Sequence, residues 1–272
     1  MTTTRQPVTR RGVGLPRVLW VPAALAFAII ALPVVGLVLK ANWARMPELL
    51  VSDSALDALR LSLETAAIST ALCIVLGGPL AAVLARGNPP ALPILRSVVL
   101  LPLVLPPVAT GLLLLDLLGR NGPLGAAALR LFGFDLVFTW RAIVAAMAVM
   151  SFPLLVRSAR VGFEGVNVRL EQIASTLGAS RGRVFFTVSL PLAAPGVGAG
   201  ILLAFARALG EFGATILVAG SIPGRTQTIS VAIYQAVQLG HDREAYRLMG
   251  VSALLAFVAV FAGERLVRRR PR

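Results

Sequence analysis

An all-α integral membrane protein with about six transmembrane helices is the fold class this sequence predicts, and three observations predict it. Of its 272 residues 57% are hydrophobic and only 14% charged, and mean hydropathy is +0.84, so a globular domain of this size would lack a polar surface. Apolar stretches long enough to cross a hydrocarbon core about 30 Å thick recur along the chain. The basic residues are segregated between alternate loops, as they are when a chain weaves through a bilayer.

In order, residues 1–18 are a basic tail with Arg5, Arg10, Arg11 and Arg17, and residues 19–266 form the membrane domain. The predicted spans are about 19–39, 59–85, 95–118, 140–158, 193–219 and 246–266. The first uncharged run exceeds the apolar region of a signal peptide, so it is read as a span. Arg60 and Glu64 fall in the first turns of the second. The third contains LPLVLPPVATG, where Pro102, Pro106 and Pro107 each remove a backbone donor and must kink or break the helix. A broken helix at membrane depth is tolerated where it lines a cavity or packs in protein. Proline is also simply commoner in membrane helices, and both readings stand. Arg141 and Arg157 bound the fourth span and can snorkel. The fifth alone carries charge deep inside, Arg207 and Glu211, spaced i, i+4 on one helix face. Arg207 either offers its charge to a passing anion or is the neutralised half of a structural pair. Between the fifth and sixth spans a Pro223-Gly224 turn precedes a short apolar helix around Ile229 and Ile233.

Six spans put both tails on one side. The tails, the Arg86–Arg96 turn and the Arg157–Arg183 segment hold sixteen of the Lys and Arg residues, and the opposite loops and their boundaries hold nine. The positive-inside rule then makes both termini cytoplasmic. The formal net charge of +14 is thereby a topology signal and calls for no nucleic acid.

Leu170–Pro191 is the long polar interval of the second half, within a cytoplasmic loop at about residues 161–192. Leu170, Ile173, Ala174 and Leu177 make one stripe of a short helix. Gly178 suits a left-handed turn, Ser180 can cap a second helix, and that helix must stop near Pro191. A helix-turn-helix DNA reader, here a membrane-tethered regulator, has a similar outline. Its second helix, however, would offer base edges the apolar run RVFFTVSL.

The same segment resembles the coupling loop of ABC-importer permeases, E-A-A-x-x-x-G-x(9)-I-x-L-P. Gly178 takes the glycine, and Val188, Leu190 and Pro191 follow at the required spacing. The chain departs at the glutamate, which is Gln172, with Glu171 one place earlier. The run Arg207-Ala-Leu-Gly-Glu211-Phe-Gly-Ala-Thr215, then Gly220-Ser-Ile-Pro-Gly224 and Thr226-Gln-Thr228, is similar to the permeases of bacterial molybdate importers. Leu101–Gly111 and Gly119–Gly125 look like the same family. Sulfate and thiosulfate permeases are close relatives, and the resemblance covers about residues 59–265.

The resemblance implies a type I ABC importer permease of the bacterial inner membrane, working as a homodimer on a cytoplasmic ABC ATPase dimer. An extracytoplasmic binding protein would deliver the oxyanion. Glu171, Gln172, Ala174, Ser175, Gly178, Val188, Leu190 and Pro191 would couple the chain to the ATPase, and Pro106, Pro107, Thr110, Arg207 and Glu211 would border the translocation path. The residues themselves point to a non-catalytic subunit. A P-loop needs a lysine after its glycine, and the sole lysine is Lys40. ATP and Mg belong to the partner, and this chain is expected to bind no cofactor or metal. Cys73 has no disulfide partner, and the one histidine, His241, makes no metal cluster. Ion-driven transport would leave the coupling segment unexplained and finds few intramembrane carboxylates to work with.

Overall fold

Inside a bilayer every backbone N–H and C=O must bond within the protein, so apolar runs of this length fold as helices. The computed structural model describes residues 16–41, 43, 53–87 and 91–268, and among them there is no strand. Most of the basic tail, much of the loop after the first span and the last four residues lie outside that set.

Helix α1 (Trp20–Lys40) follows one 3-10 turn, Arg17–Leu19. It belongs to a unit of its own, residues 1–41, and none of its side chains is buried. The second unit begins with α2 (Asp53–Arg86), 34 residues, so the predicted span gains six residues at its start. There Arg60 Nε donates to Glu64 Oε1 at 2.7 Å, on the solvent-exposed side.

The predicted third span is two helices, α3 (Leu92–Val104) and α4 (Pro107–Leu118), bent by 109°. Leu105 and Pro106 are extended, and Pro107 opens α4 where its missing N–H costs nothing. The break is therefore complete, and neither half alone crosses a bilayer. A short helix missed in the sequence, α5 (Pro123–Phe132), occupies the following loop and ends at left-handed Gly133. Beyond it Arg120 grips both carboxylate oxygens of Asp135 at 2.8 and 2.7 Å, which holds that carboxyl below its usual range.

The central helix is α6 (Trp140–Glu164), capped by Thr139 Oγ1, which accepts from the Arg141 amide at 3.2 Å. Ile143, Met147, Met150, Leu155 and Val156 are buried along it. Toward its start they pack with Leu114 and Leu118 of α4, and toward its end with Leu84 of α2 and Phe163 of α6 itself.

Helices α7 (Val168–Thr176) and α8 (Arg181–Val184) follow. The expected stop near Pro191 does not occur. A π turn, Phe185–Ser189, joins α8 directly to α9 (Leu190–Leu209). The Leu190 amide bonds the Phe185 carbonyl, so the ladder has already changed register when Pro191, which has no donor, arrives. The uninterrupted rod Arg181–Leu209 has 29 residues. The fifth span is then shorter than expected at its far end. It breaks at Gly210–Phe212 and resumes as α10 (Gly213–Ala219). Helices α11 (Ile229–Gln238) and α12 (Asp242–Arg268) complete the chain, α11 resting on Ala58 and Leu248.

Candidate functional site

Two places in the second unit gather the residues singled out in the sequence. The first is the α7–α8 hairpin, at the end where α2 and α6 finish. Asn167 Oδ1 caps α7 by accepting from the Arg169 amide at 3.0 Å. Gly178, at φ +86°, closes it: the Gly178 amide bonds Ser175 O at 3.0 Å and the Ala179 amide bonds Ala174 O at 3.1 Å. These are the paired bonds of a Schellman turn, which needs a left-handed residue where Gly178 stands. Ser180 Oγ then accepts from the Arg183 amide at 3.4 Å to start α8.

The apolar stripe of α7 is largely bare. Leu170, Ile173 and Leu177 are 44%, 55% and 82% exposed, and Gln172, Ser175 and Pro191 are exposed beside them. Ala174, Val188 and Leu190 are half-buried. Such an uncovered apolar set outside the spans is what a partner surface looks like. Glu171 differs from its neighbours. Its Oε1 accepts from Arg86 Nη2 at 3.0 Å and from Ser189 Oγ at 2.8 Å, and Arg86 also donates to Val166 O at 2.9 Å. Close by, Glu164 pairs with Arg160 at 3.2 Å and Arg96 at 3.8 Å, while Arg96 donates to Leu84 O at 2.7 Å. Arg86, Arg96, Glu164 and Ser189 were not singled out in the sequence. The available signal was an arginine closing a span and an acidic residue in the first turn of the next amphipathic helix.

The second place is where the two broken spans meet. A Cβ on Gly213 would lie 2.8 Å from Pro107 Cβ, and one on Gly111 would lie 2.9 Å from Ala214 Cα, so α4 and α10 touch backbone to backbone. Arg207 Nη1 and Glu211 Oε2 pair at 2.7 Å, as the spacing suggests, but Glu211 is in the break and not on the helix face. Its other oxygen accepts from the Ala214 amide at 2.8 Å, so the carboxylate also caps α10. Glu211 is 1% exposed, whereas the Arg207 side chain is 27% exposed. Ser230 Oγ donates to Leu209 O at 3.3 Å, supplying a partner that the interrupted ladder lost. Thr110 is buried, and its hydroxyl has no hydrogen-bond partner among the described residues. Pro106 and Pro107 are exposed. Pro107 is thus brought to the Glu211 break, while Pro106 stays on the surface of the chain.

A cavity of about 570 Å³ opens at the opposite end from the hairpin, between the starts of α2 and α6, with Thr65, Phe138, Trp140, Arg141 and Arg225 on its walls. Among the described residues no group of three His, Cys, Asp or Glu side chains could hold a metal ion.

The chain is 46% identical over 221 residues to the molybdenum transport system permease protein ModB of Escherichia coli K12, covering 81% of this chain and 96% of that one. It is 34% identical over 213 residues to the sulfate transport system permease protein CysT of the same organism, covering 77% and 76%. Among solved structures, a bacterial ABC transporter involved in the import of the acidic polysaccharide alginate matches 94% of this chain and 95% of its own, with a TM-score of 0.72 and 18% identity. The fold is therefore that of a type I ABC importer permease. With residues 74–272 matching its model, the chain belongs to the family of binding-protein-dependent transport system inner membrane components.

Proposed function

We propose that this chain is the permease subunit of an ATP-driven molybdate importer. The observation that carries the reading is the α7–α8 hairpin, a glycine turn presenting Gln172, Ile173, Ser175 and Leu177 exposed and outside the spans. In this reading a cytoplasmic ATPase grips that face, two copies of the chain enclose the path, and an extracytoplasmic binding protein delivers the anion at the other end. Both termini and the hairpin are cytoplasmic, and ATP and Mg stay on the partner. The greater identity to the molybdenum permease than to the sulfate permease supports molybdate as cargo. A DNA-reading role loses its second helix, because α8 has four residues and continues into a membrane span.

Arg207 and Glu211 border the path beside the paired helix breaks. Their 2.7 Å contact supports a structural pair whose partly exposed arginine is left facing the path. The test is to copurify the chain with its neighbours, reconstitute it with the cognate binding protein, and measure ATP hydrolysis. Molybdate and its near-isostere tungstate should stimulate hydrolysis, and sulfate at equal concentration should not. Equal stimulation by sulfate would defeat the molybdate assignment and leave the oxyanion-importer class.

A further inference from the structure

The family's coupling motif expects a glutamate at the position of Gln172, and Glu171 beside it looks like a substitute offered to the ATPase. Its surroundings say otherwise. The Glu171 side chain is 20% exposed, and one oxygen takes two bonds from within the chain, from Arg86 at 3.0 Å and Ser189 at 2.8 Å. The guanidinium and the hydroxyl hold this carboxylate against the end of α2 and the π turn, and the side chain is largely covered. The three residues sit at three mechanical junctions. Arg86 is the last residue of α2, Glu171 lies in the first turn of α7, and Ser189 is the last residue of the π turn that leads into α9. Arg86 also holds Val166 O, fixing the strand of backbone that enters α7. Gln172, one residue on, points outward and is exposed.

We infer that Glu171 is a positioning residue, a clasp that locks the coupling helix to the ends of the second and fifth spans, and that it does not contact the ATPase. Push α7 and the displacement passes through this carboxylate to α2 and, through the π turn, to the rod Arg181–Leu209. That rod is about 43 Å long at 1.5 Å per residue, and it ends at the break where Arg207 meets Glu211. The π turn is the hinge of this train, since such single turns interrupt the regular α-helical ladder. Without the clasp the hairpin would still dock, since its exposed face is unchanged, but its movement would be lost as local slack.

This rests on the importer reading, so the experiment has one arm that does not. In a Cys73→Ser background, Ser175→Cys carries a spin label in the full-length chain, purified without ATPase. Glu171→Ala and, separately, Arg86→Gln should each make the label markedly more mobile, while Gln172→Ala should leave it unchanged. In the second arm, unlabelled complexes of Glu171→Ala and of Arg86→Gln with the ATPase should assemble to wild-type yield. Stimulation of hydrolysis by the molybdate-loaded binding protein should fall at least tenfold in Glu171→Ala and Arg86→Gln. The swap Arg86→Glu with Glu171→Arg should recover it to within threefold of wild type. Glu171→Ala with an immobile label and lost ATPase association would make Glu171 a direct contact and overturn the clasp. Unchanged mobility with unchanged stimulation would overturn it equally. If the wild-type complex itself shows no oxyanion-stimulated hydrolysis, the importer reading fails, and the mobility arm still decides the clasp.

Discussion

Among the described residues of the second unit, Glu211 is the most buried charge. Its two oxygens serve different purposes, one neutralising Arg207 and one capping α10. Glu211→Ala removes both and leaves Arg207 and the Ala214 amide without their acceptor, which should cost about 1–3 kcal/mol of stability, less than for a fully buried pair because Arg207 is partly exposed. Glu211→Gln keeps an acceptor for the Ala214 amide and should cost less. The expected order in thermal unfolding of the detergent-solubilised chain is wild type, then Glu211→Gln, then Glu211→Ala. The double variant Arg207→Met with Glu211→Gln should recover part of the loss if the pair is structural. If Arg207 instead draws the anion, Arg207→Met should assemble normally, lose uptake, and gain nothing from the second change. Gly178 gives a second test at this scale. A Cβ there meets no neighbouring atom, so the strain is purely that of a left-handed backbone. Gly178→Val should cost upwards of about 1–2 kcal/mol locally. The variant should insert but lose ATPase association and uptake, and full activity in it would mean that the turn is not needed.

At the scale of elements, the paired helix breaks stand on close packing. Gly213 abuts Pro107, and Gly111 abuts Ala214. Since the atoms in the way on α10 are backbone, a valine at Gly111 must push the two helices apart, at roughly 1–3 kcal/mol for overpacking. Gly111→Val and Gly213→Val should each lower the unfolding temperature. The combination should be less than additive, because either one opens the same contact. Strict additivity would show that the two glycines serve separate contacts. The residues singled out at the start of α4 fared unevenly: Thr110 is buried beside this contact, and Pro106, just before the helix, is exposed. Proline spacing announces that a helix must break, but not which face of the broken piece turns inward.

For the whole molecule, the alternating charge count makes a topological claim that single-site tags can check. A reporter after Arg272 or beside Ser175 should read cytoplasm, and one near Asp53 or His241 should read the outside. Labelling of a cysteine at position 175 from outside intact cells would sink the arrangement, and the coupling role of α7 with it. The exposed ion pair Arg60–Glu64 lies at the far end of α2 from Arg86, so the two chemistries of this helix are separated by the bilayer in this topology.

The long apolar helices α1, α2, α6 and α12 and the α7–Gly178–α8 turn were legible in the sequence because each is local. A 20-residue apolar run, a basic loop or a left-handed glycine after an apolar stripe carries its physics within a few residues. Two features broke that pattern at the fifth span. From Leu190 onward the sequence reads as one helix across Gly210–Phe212, with Arg207 and Glu211 at helical spacing, yet the helix stops there because partners elsewhere replace its lost bonds. Glu211 turns back to cap α10, Ser230 reaches Leu209 O, and Phe212 packs on Tyr234 with ring centroids 4.7 Å apart. At Pro191 the opposite happened, and a π turn carried the helix past a residue that normally ends one. Likewise the direction Glu171 faces was undecided until the ends of α2 and α9 came within reach of it. Local rules set where helices can form; contacts between residues 18 and 85 positions apart decided where they break and what they hold.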